Sequence, residues 1–537
     1  MTVAIVGYTE STSALPGETD GERLRVAYRQ HGENLTAHLL GQYAAVVIDR
    51  QAGRILLLQD SLGIRPLFYR ITATEVIVAS ELDHVLRHLK QFRLNLHFFA
   101  RQLATGEIAT RETPFADVHK LAYGTTVVVT MEGSEEGVPW KPTHRLLRIS
   151  LEEAAEELRR LLDAAVGACL PGSGTVLAEL SGGLDSTSVF CTAVRFHPAM
   201  HALSMLDKQS GVDDDELYAA AVIAAYPCPW HQIDVDAHPY YAFAQEQFIA
   251  EPGGEMFASG QRAYRQILTE NKIDVILTGC GGDCLFGYGS LPPIHLADPL
   301  ARGDLFGAVR GARRWAVEMG GQRPWSHIFR QFAVGPALRH LRRRKVSVLE
   351  GEYPPRWLGP ALRAFSGVGE EAGPDAPRQP TPGAQYLWDS VFQLAAGVNY
   401  PFRLGIAAST RHPLFHRPLV EFLLSLPPEL RATASRDRIL QRFAMRGRMP
   451  SAVCERTTKG SSQAHFEQAL LTNQALRSLL LNDARLVERG WVDAAAWKAQ
   501  VERASFGVFN GITSFESAAI FELWLRALEA AYPACLG

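Results

Sequence analysis

The chain has 537 residues, 47% of them hydrophobic and 21% charged, with a formal net charge of −3. At roughly 100–200 residues per domain this is a chain of two to four globular domains, and the balance excludes a disordered, fibrous or globally basic nucleic-acid-coating protein. The 7 cysteines are odd in number and show no C-x-x-C, which argues against a disulfide framework or zinc site and for a reducing compartment. The N-terminus, MTVAIVGYTESTSALPGETD, has no basic n-region and no long apolar h-region. No run nears the ~18 apolar residues of a membrane helix. The expectation is a cytoplasmic protein with no membrane span and no nucleic-acid partner.

In chain order, VAIVGY (3–8), AAVVIDR (44–50), RILLLQD (54–60), EVIVAS (75–80) and TTVVVT (125–130) are short β-branched runs separated by turn signals. They predict a β-rich unit over residues 1–140. The polar, Gly/Pro-punctuated stretch 132–144 is the candidate linker to a second unit, 150–537. There the style changes. SLEEAAEELRRLLDAAVGACL (150–170) opens with an N-cap Ser and first-turn acids and predicts a helix. Strand and helix signals then alternate: strands at 175–180, 201–206, 231–236 and 272–279, helices after 186, at 214–226 and from about 261. That alternation predicts α/β architecture, a parallel sheet with helices on both faces. After residue 283 the signal is helical, as in RRWAVEM, HIFRQF, PLVEFLLSL and RILQRFAM. The Pro/Gly-rich stretch 367–383 reads as a mobile loop, a lid candidate.

The sharpest motif is Ser181-Gly182-Gly183-Leu184-Asp185-Ser186, between a buried strand and a helix. Such a loop aims backbone N–H groups and the positive helix end at an anion, and its glycines admit a close approach. It is not a Walker A sequence. Asp185 suits a phosphate only through Mg²⁺, which bridges carboxylate and phosphate oxygens. A second loop, Thr278-Gly279-Cys280-Gly281-Gly282-Asp283, closes another apolar strand. Loops at the carboxyl ends of strands in a doubly wound sheet share one crevice, so Asp185 and Asp283 are expected to face each other across Mg²⁺. A helix N-cap is the plainer reading of Asp283 by itself.

S-G-G-L-D-S with a later G-x-G-G-D resembles the asparagine-synthetase branch of the ATP-pyrophosphatases. The resemblance implies an adenine-nucleotide α-hydrolase-like synthetase domain, with ATP over residues 181–186 and Asp185 and Asp283 as Mg²⁺ ligands. It also implies adenosine contacts from Leu180, Ser204 and Gly279. Lys459, in Thr457-Thr458-Lys459-Gly460, matches the late lysine that faces the acyl-adenylate in that family, where a cation neutralises developing charge. GQYAAVVIDRQAGRILLLQDSLGIRPLFYR (41–70) is similar to the glutamine-amidotransferase domain of these synthetases, an Ntn-type αββα sandwich. That domain uses a nucleophilic N-terminal Cys. Here position 2 is Thr2 and the first Cys is Cys169. An N-terminal Thr can act as a nucleophile, but no glutamine-binding stretch matches, so the domain reads as a degenerate relic.

A lost glutaminase points to relatives that use an amine already on the substrate. The segments 354–363, 411–431 and 438–460 look like those of lasso-peptide macrolactam cyclases. The expected activity is adenylation of an Asp or Glu side chain of a linear precursor peptide and its joining to the peptide's N-terminal amine. By resemblance, a leader peptidase and a leader-recognition protein are the companions. A small-molecule ligase of asparagine- or β-lactam-synthetase type, and a scaffold with a decayed ATP site, are the alternatives. Departures from the family are Cys280, Cys284 in place of the usual Glu, Ser409 at the expected Glu, and His416 at the expected Asp. Cys280 and Cys284 read as packing residues. No general base is visible; Glu251 and Glu255 read as solvated helix-start acids. The basic run 339–345 reads first as a solvated helix face and second as a docking patch for an acidic peptide.

Overall fold

The computed structural model describes every residue except 11–14, 107, 138–139, 142–144, 208–213, 239, 242–247, 254–256, 288–291, 345, 347–353, 366–377, 399–407, 459–461, 509–511 and 534–537.

The N-terminal part contains β1 (Thr2–Thr9), α1 (Asp20–His31), β2 (Gly41–Asp49), β3 (Arg54–Gln59), β4 (Phe68–Ile71), β5 (Val76–Ala79), α2 (Leu82–Leu86), α3 (Leu96–Thr105), β6 (His119–Lys120), β7 (Thr126–Thr130) and β8 (Gly133–Gly137). One antiparallel sheet runs β1-β2-β3-β7-β8 and a second β5-β4-β6. Alternation along the strands makes this a four-layer stack. Tyr43, Ala45, Val47, Leu56 and Leu58 pack under α1. Ala44, Val46, Ile55 and Leu57 point the other way and meet Tyr69, Ile71, Val76 and Val78 of the second sheet. That sheet's far face, with Phe68, Ile77 and Ala79, rests on α2 and α3. The result is an αββα sandwich.

The stretch expected as a linker starts as structure instead. Gly133–Gly137 is β8, paired with β7 and exposed at all five residues. An edge strand with both faces in water carries no apolar alternation, which is the signal that marks a strand.

The second part follows α4 (Leu151–Cys169), whose N-cap Ser150 forms a capping box with Glu153. Then come β9 (Thr175–Glu179), α5 (Leu184–Phe196), β10 (Met200–Leu206), α6 (Asp215–Ala225), β11 (Trp230–Asp234), α7 (Ala258–Glu270), β12 (Ile273–Leu277), α8 (Gly282–Phe286) and, far along the chain, β13 (Ser409–Arg411). All pairings are parallel, in the order β11-β10-β9-β12-β13. Both faces are covered. Val176, Ala178, Val275 and Leu277 face the α4/α5 side, whereas Leu177, Leu203 and Ile276 face Tyr264 and Leu268 of α7. Burial on both faces explains why these strands read as continuous apolar runs.

The strand order places the sheet's reversal of direction between β9 and β12. The chain winds outward from β9 to β11, then returns to the other side with β12 and β13. The loops after β9 and β12 therefore diverge from a common crevice. Helices beyond residue 290 build a separate apolar cluster around Ile294, Ala312, Ile328 and Phe332. The long helix Ile512–Ala531 returns to the N-terminal sandwich, where the Phe521 and Trp524 rings lie 4.9 and 5.7 Å from the ring of Phe99 on α3. Among the described residues no helix is long and apolar enough to cross a membrane.

Candidate active site

The loop after β9 is held by its own hydroxyls. Ser186 Oγ accepts from the Ser181 backbone N–H at 3.1 Å and lies 3.0 Å from Ser181 Oγ, and Ser181 Oγ accepts from the Gly183 N–H at 3.3 Å. Gly182 has φ +70°, and a Cβ there would stand 2.7 Å from the Asp215 carbonyl oxygen of α6. The turn thus requires glycine for both its conformation and its packing. Gly183 caps α5, so Asp185 and Ser186 lie in its first turn. The second loop seats directly on the first. A Cβ on Gly279 would meet Ser186 N at 2.4 Å, and one on Gly282 would meet Asp185 Cγ at 2.0 Å. Asp283 does not cap its helix: Gly281 does, with φ +106°, and Asp283 sits one position inside the first turn.

Arg438 joins the two loops. Its Nη1 bonds Asp185 Oδ1 and its Nη2 bonds Asp283 Oδ1. Gln441 Nε2 donates to the same Asp185 oxygen at 3.0 Å and to Ser188 Oγ at 3.1 Å. Arg438 is 4% exposed and adopts φ +51° at the start of the helix Ile439–Ala444. Burial opposes its charge, but the pull of Asp185 and then Asp283 outweighs it and raises the guanidinium pKa. Two carboxylates gathered on one cation are the hard oxygen donors that Mg²⁺ takes alongside substrate phosphates, so this pair fits that ion. Among the described residues no group of three or more His, Cys, Asp or Glu is arranged to hold a metal.

Of the residues read as adenosine contacts, Gly279 lies at the loop junction. Leu180 is buried, its N–H on the Leu203 carbonyl of β10 and its carbonyl accepting from Ser204 Oγ. The Ser204 hydroxyl also accepts from Trp230 Nε1 at 2.8 Å. That hydroxyl is therefore occupied within the fold. Lys459 lies outside the described residues. The segment leading to it is anchored: Arg456, 3% exposed, pairs with Asp214 and with Asp215 at 2.6 Å, and Thr458 Oγ1 donates to Asp214 at 2.6 Å. Burial raises the Asp214 pKa, but Thr458 and Arg456 lower it further, to a net depression.

Two of the positions that depart from the family, Ser409 and His416, are engaged at the junction with the sandwich. Ser409 Oγ accepts from Arg65 at 3.2 Å, and His416 Nε2 stands 3.0 Å from Glu10 Oε1. Gln42 of β2 clasps the His412 peptide, donating to its carbonyl at 2.7 Å and accepting from its N–H at 3.1 Å. Cys169, the first cysteine in the chain, is buried against Tyr8 Oη at 3.0 Å, and burial pushes its thiol up to about 12. It is protonated at neutral pH and is no displaced nucleophile. Thr2 opens the edge strand β1, exposed and opposite Ile48.

Two sequence readings change here. Glu251 is not a solvated helix start: it lies in a loop, half-buried, 3.7 Å from Lys120 of the sandwich, and desolvation raises its pKa. Its partner Glu255 lies outside the described residues. The lid stretch 367–383 lies partly outside them as well, and its described end is fixed: Gln379 and Thr381 are buried, and Thr381 caps the helix Pro382–Gly397. Cys280 and Cys284 pack against the main core, as packing residues would. Arg438 and Gln441 were legible only as members of a helical run. The signal available was a cation opening a short helix with Gln441 and Arg442 among its apolar residues.

The molecule is thus a two-part α/β protein, an amidotransferase-type sandwich joined to a parallel-sheet domain with two glycine loops at its switch point. A family model for asparagine synthase matches residues 157–526, and one for a glutamine amidotransferase domain matches residues 7–140. The chain belongs to the asparagine synthase family. It is 26% identical to asparagine synthetase [glutamine-hydrolyzing] 2 of Bacillus subtilis over 230 residues, 40% of this chain and 30% of that protein. It is 24% identical to the amidase chyE of Penicillium rubens over 314 residues, 53% of this chain and 45% of that protein. The curated relatives are matched over about a third to a half of their length. Among solved structures, the NH3-dependent NAD synthetase of Campylobacter jejuni aligns with 26% of this chain and 61% of its own, at 19% identity and a TM-score of 0.18, too low to bear on the fold.

Proposed function

We propose that this chain is a cytoplasmic ATP-dependent carbon–nitrogen ligase that closes a macrolactam in a linear precursor peptide, as lasso-peptide cyclases do. One observation carries the ligase reading: the two glycine loops meet at the switch point and deliver Asp185 and Asp283 to a single cation. In this reading Ser181, Gly182, Gly183 and Ser186 cradle the β- and γ-phosphates of ATP. Leu180, Ser204 and Gly279 border the adenosine. Asp185 and Asp283 hold Mg²⁺, which when bound offsets the charge of the triphosphate. Arg438 adds a fixed positive charge beside them.

A substrate carboxylate oxygen attacks the α-phosphorus, the Pα–O–Pβ bond breaks and pyrophosphate leaves. The amine nitrogen then attacks the acyl carbon, the C–O bond to AMP breaks, and one amine proton is released. Lys459 neutralises charge on the α-phosphate and the tetrahedral intermediate, at the end of the segment that Asp214 anchors. Supplying both reacting groups from one peptide makes the second step intramolecular. The sandwich is a relic that docks and buttresses: no Cys precedes Cys169, and Ser409, His412 and His416 are bound to it. Arg339, Arg342 and Arg343 are exposed and form a basic surface for an acidic leader segment or its recognition protein.

The names of the bacterial relatives, asparagine synthetases, support a second reading, a small-molecule amide ligase, for which aspartate and ammonium are the probes. Mass spectrometry separates the two. The chain is incubated with Mg·ATP and either a peptide bearing a free amine and an internal Asp or Glu, or free aspartate with ammonium. AMP, pyrophosphate and a peptide lighter by one water are expected, and all are lost in Asp185→Ala. AMP formed only with aspartate would replace the peptide reading; no AMP with any carboxylate and no ATP binding would overturn both.

A further inference from the structure

Beyond the end of α8 the helical region encloses two adjoining hollows of about 60 and about 230 Å³. They share His295, Trp315 and Pro428 in their walls. Prolines 292 and 293, Ile294 and Leu387 make the smaller one largely apolar. Among its described lining residues only Arg431 is formally charged. Arg431 is 6% exposed, and its Nε and Nη1 are buried with no hydrogen-bond partner among the described residues. No ion pair among the described residues includes it.

Arg431 therefore differs from the other buried arginines of this region. Arg438, Arg442 and Arg456 each pair with a carboxylate. A buried guanidinium without acceptors is costly, and an apolar pocket with one convergent charge is the usual form of a small-molecule site. Asp298 and Glu429 pull on Arg431 from a distance, but Asp298 accepts the Gly383 N–H at 2.7 Å instead, and burial pushes its carboxyl up to about 6. His295 does not share the positive charge: burial, then Arg431, lowers its pKa to about 4.

We propose that the two adjoining hollows together bind a small ligand with an apolar or aromatic body, its carboxylate on Arg431 in the smaller one and its body passing the shared Trp315 and Pro428 into the larger. A monoanion matches Arg431, the one formal charge among the described residues of the smaller hollow, while in the larger Arg302 and Arg314 stand with Asp298, Glu318 and Glu429. A phosphate dianion would face Asp298 and Glu429 and would leave the apolar walls unused. Gly287, the C-cap of α8, lines the smaller hollow, which therefore borders the end of the short helix that carries Asp283. The binding statement stands whether or not the chain adenylates anything.

The test is a titration of the full chain with phenylacetate and, in parallel, with phenylacetamide, read by calorimetry or ligand-observed NMR. Phenylacetate should bind saturably, with the amide at least tenfold weaker. Arg431→Met should weaken phenylacetate at least tenfold, and its thermal midpoint should not fall, because an unpaired buried charge has been removed. Trp315→Ala keeps the cation, opens the apolar wall, and should weaken phenylacetate by a similar factor even where the arginine variant does not fold. Equal affinity for acid and amide, undiminished binding in either variant, no saturable binding, or displacement of phenylacetate by equimolar inorganic phosphate would each overturn the assignment.

Discussion

Replacing Gly282 with alanine tests the site with one methyl group. Gly282 is helical and its φ is not in the left-handed region, so alanine suits the backbone. The new Cβ would stand 2.0 Å from Asp185 Cγ and 2.1 and 2.4 Å from its oxygens, where ordinary contact begins at 3.4 Å. The Asp185 carboxylate must therefore withdraw by about 1.5 Å, the shortfall from normal van der Waals separation. Withdrawal breaks its bonds from Arg438 and Gln441. Hydrogen bonds to charged groups contribute about 1.5–3 kcal/mol each, and the better helix propensity of alanine returns about 0.5–1 kcal/mol. A net loss of about 2–5 kcal/mol is expected if both bonds go, a fall of several degrees in thermal midpoint for a chain this size. Chemistry should suffer far more, since a displacement of about 1 Å at a reacting centre costs on the order of 10²-fold. Thermal unfolding and Mg·ATP-dependent pyrophosphate release with the accepted substrate measure the two effects. Gly279→Ala is the contrast: its Cβ meets Ser186 backbone atoms at 2.4 and 2.6 Å, which no rotamer relieves, so stability and activity should fall together. A folded Gly282→Ala protein releasing pyrophosphate within threefold of the parent would refute the placement of Asp185 in the reaction.

Three further outcomes follow from the same geometry. Gln42→Leu should lower stability by about 2–4 kcal/mol, because the His412 N–H and carbonyl are left buried without partners, and limited proteolysis should then separate the sandwich from the sheet domain. Arg456→Met leaves Asp214 and Asp215 facing each other without their cation; a loss of about 3–5 kcal/mol is the usual cost of breaking a buried pair, reduced here because the Asp214 side chain is 38% exposed. Hydrogen exchange should rise over residues 453–458, and flat exchange there would count against the anchor. Burial pushes Asp60 up to about 6, against the backbone N–H bonds of Ile64, Arg65 and Leu62. Its folded form therefore holds a proton that the unfolded chain releases near pH 4. The stability this contributes is present below pH 4 and declines as pH rises to about 6, at up to about 1.4 kcal/mol per pH unit. Asp60→Asn should flatten that limb of a stability–pH profile; an unchanged slope would assign it to other groups.

Much of the site was legible in one dimension because its demands are local. A strand that ends in Gly-Gly before a helix can do little but present its amides and the helix end, so residues 181–186 stand out. The strands β9, β10 and β12 were legible for a related reason: burial on both faces leaves an unbroken apolar run. By contrast, β4 and β6 are short, β8 is exposed on both faces, and β13 is three residues long and pairs across more than a hundred residues of helices. None of these leaves a period in the sequence.

What the amino-acid order determined by itself was the alternation of strands and helices, the two glycine loops, and the absence of a cysteine near the start of the chain. That residues 185 and 283 share one crevice was already expected from the two loops; the strand order that supplies its place, β11-β10-β9-β12-β13, was decided only in three dimensions. The same holds for Arg438, which reaches both carboxylates from a helix more than 150 positions away, and for Ser409 and His416, turned to the sandwich rather than the crevice. The physical reason is that sequence patterns record what a residue's own element requires, whereas a buried charge is assigned its partner by whichever elements the packed core happens to bring within hydrogen-bonding distance.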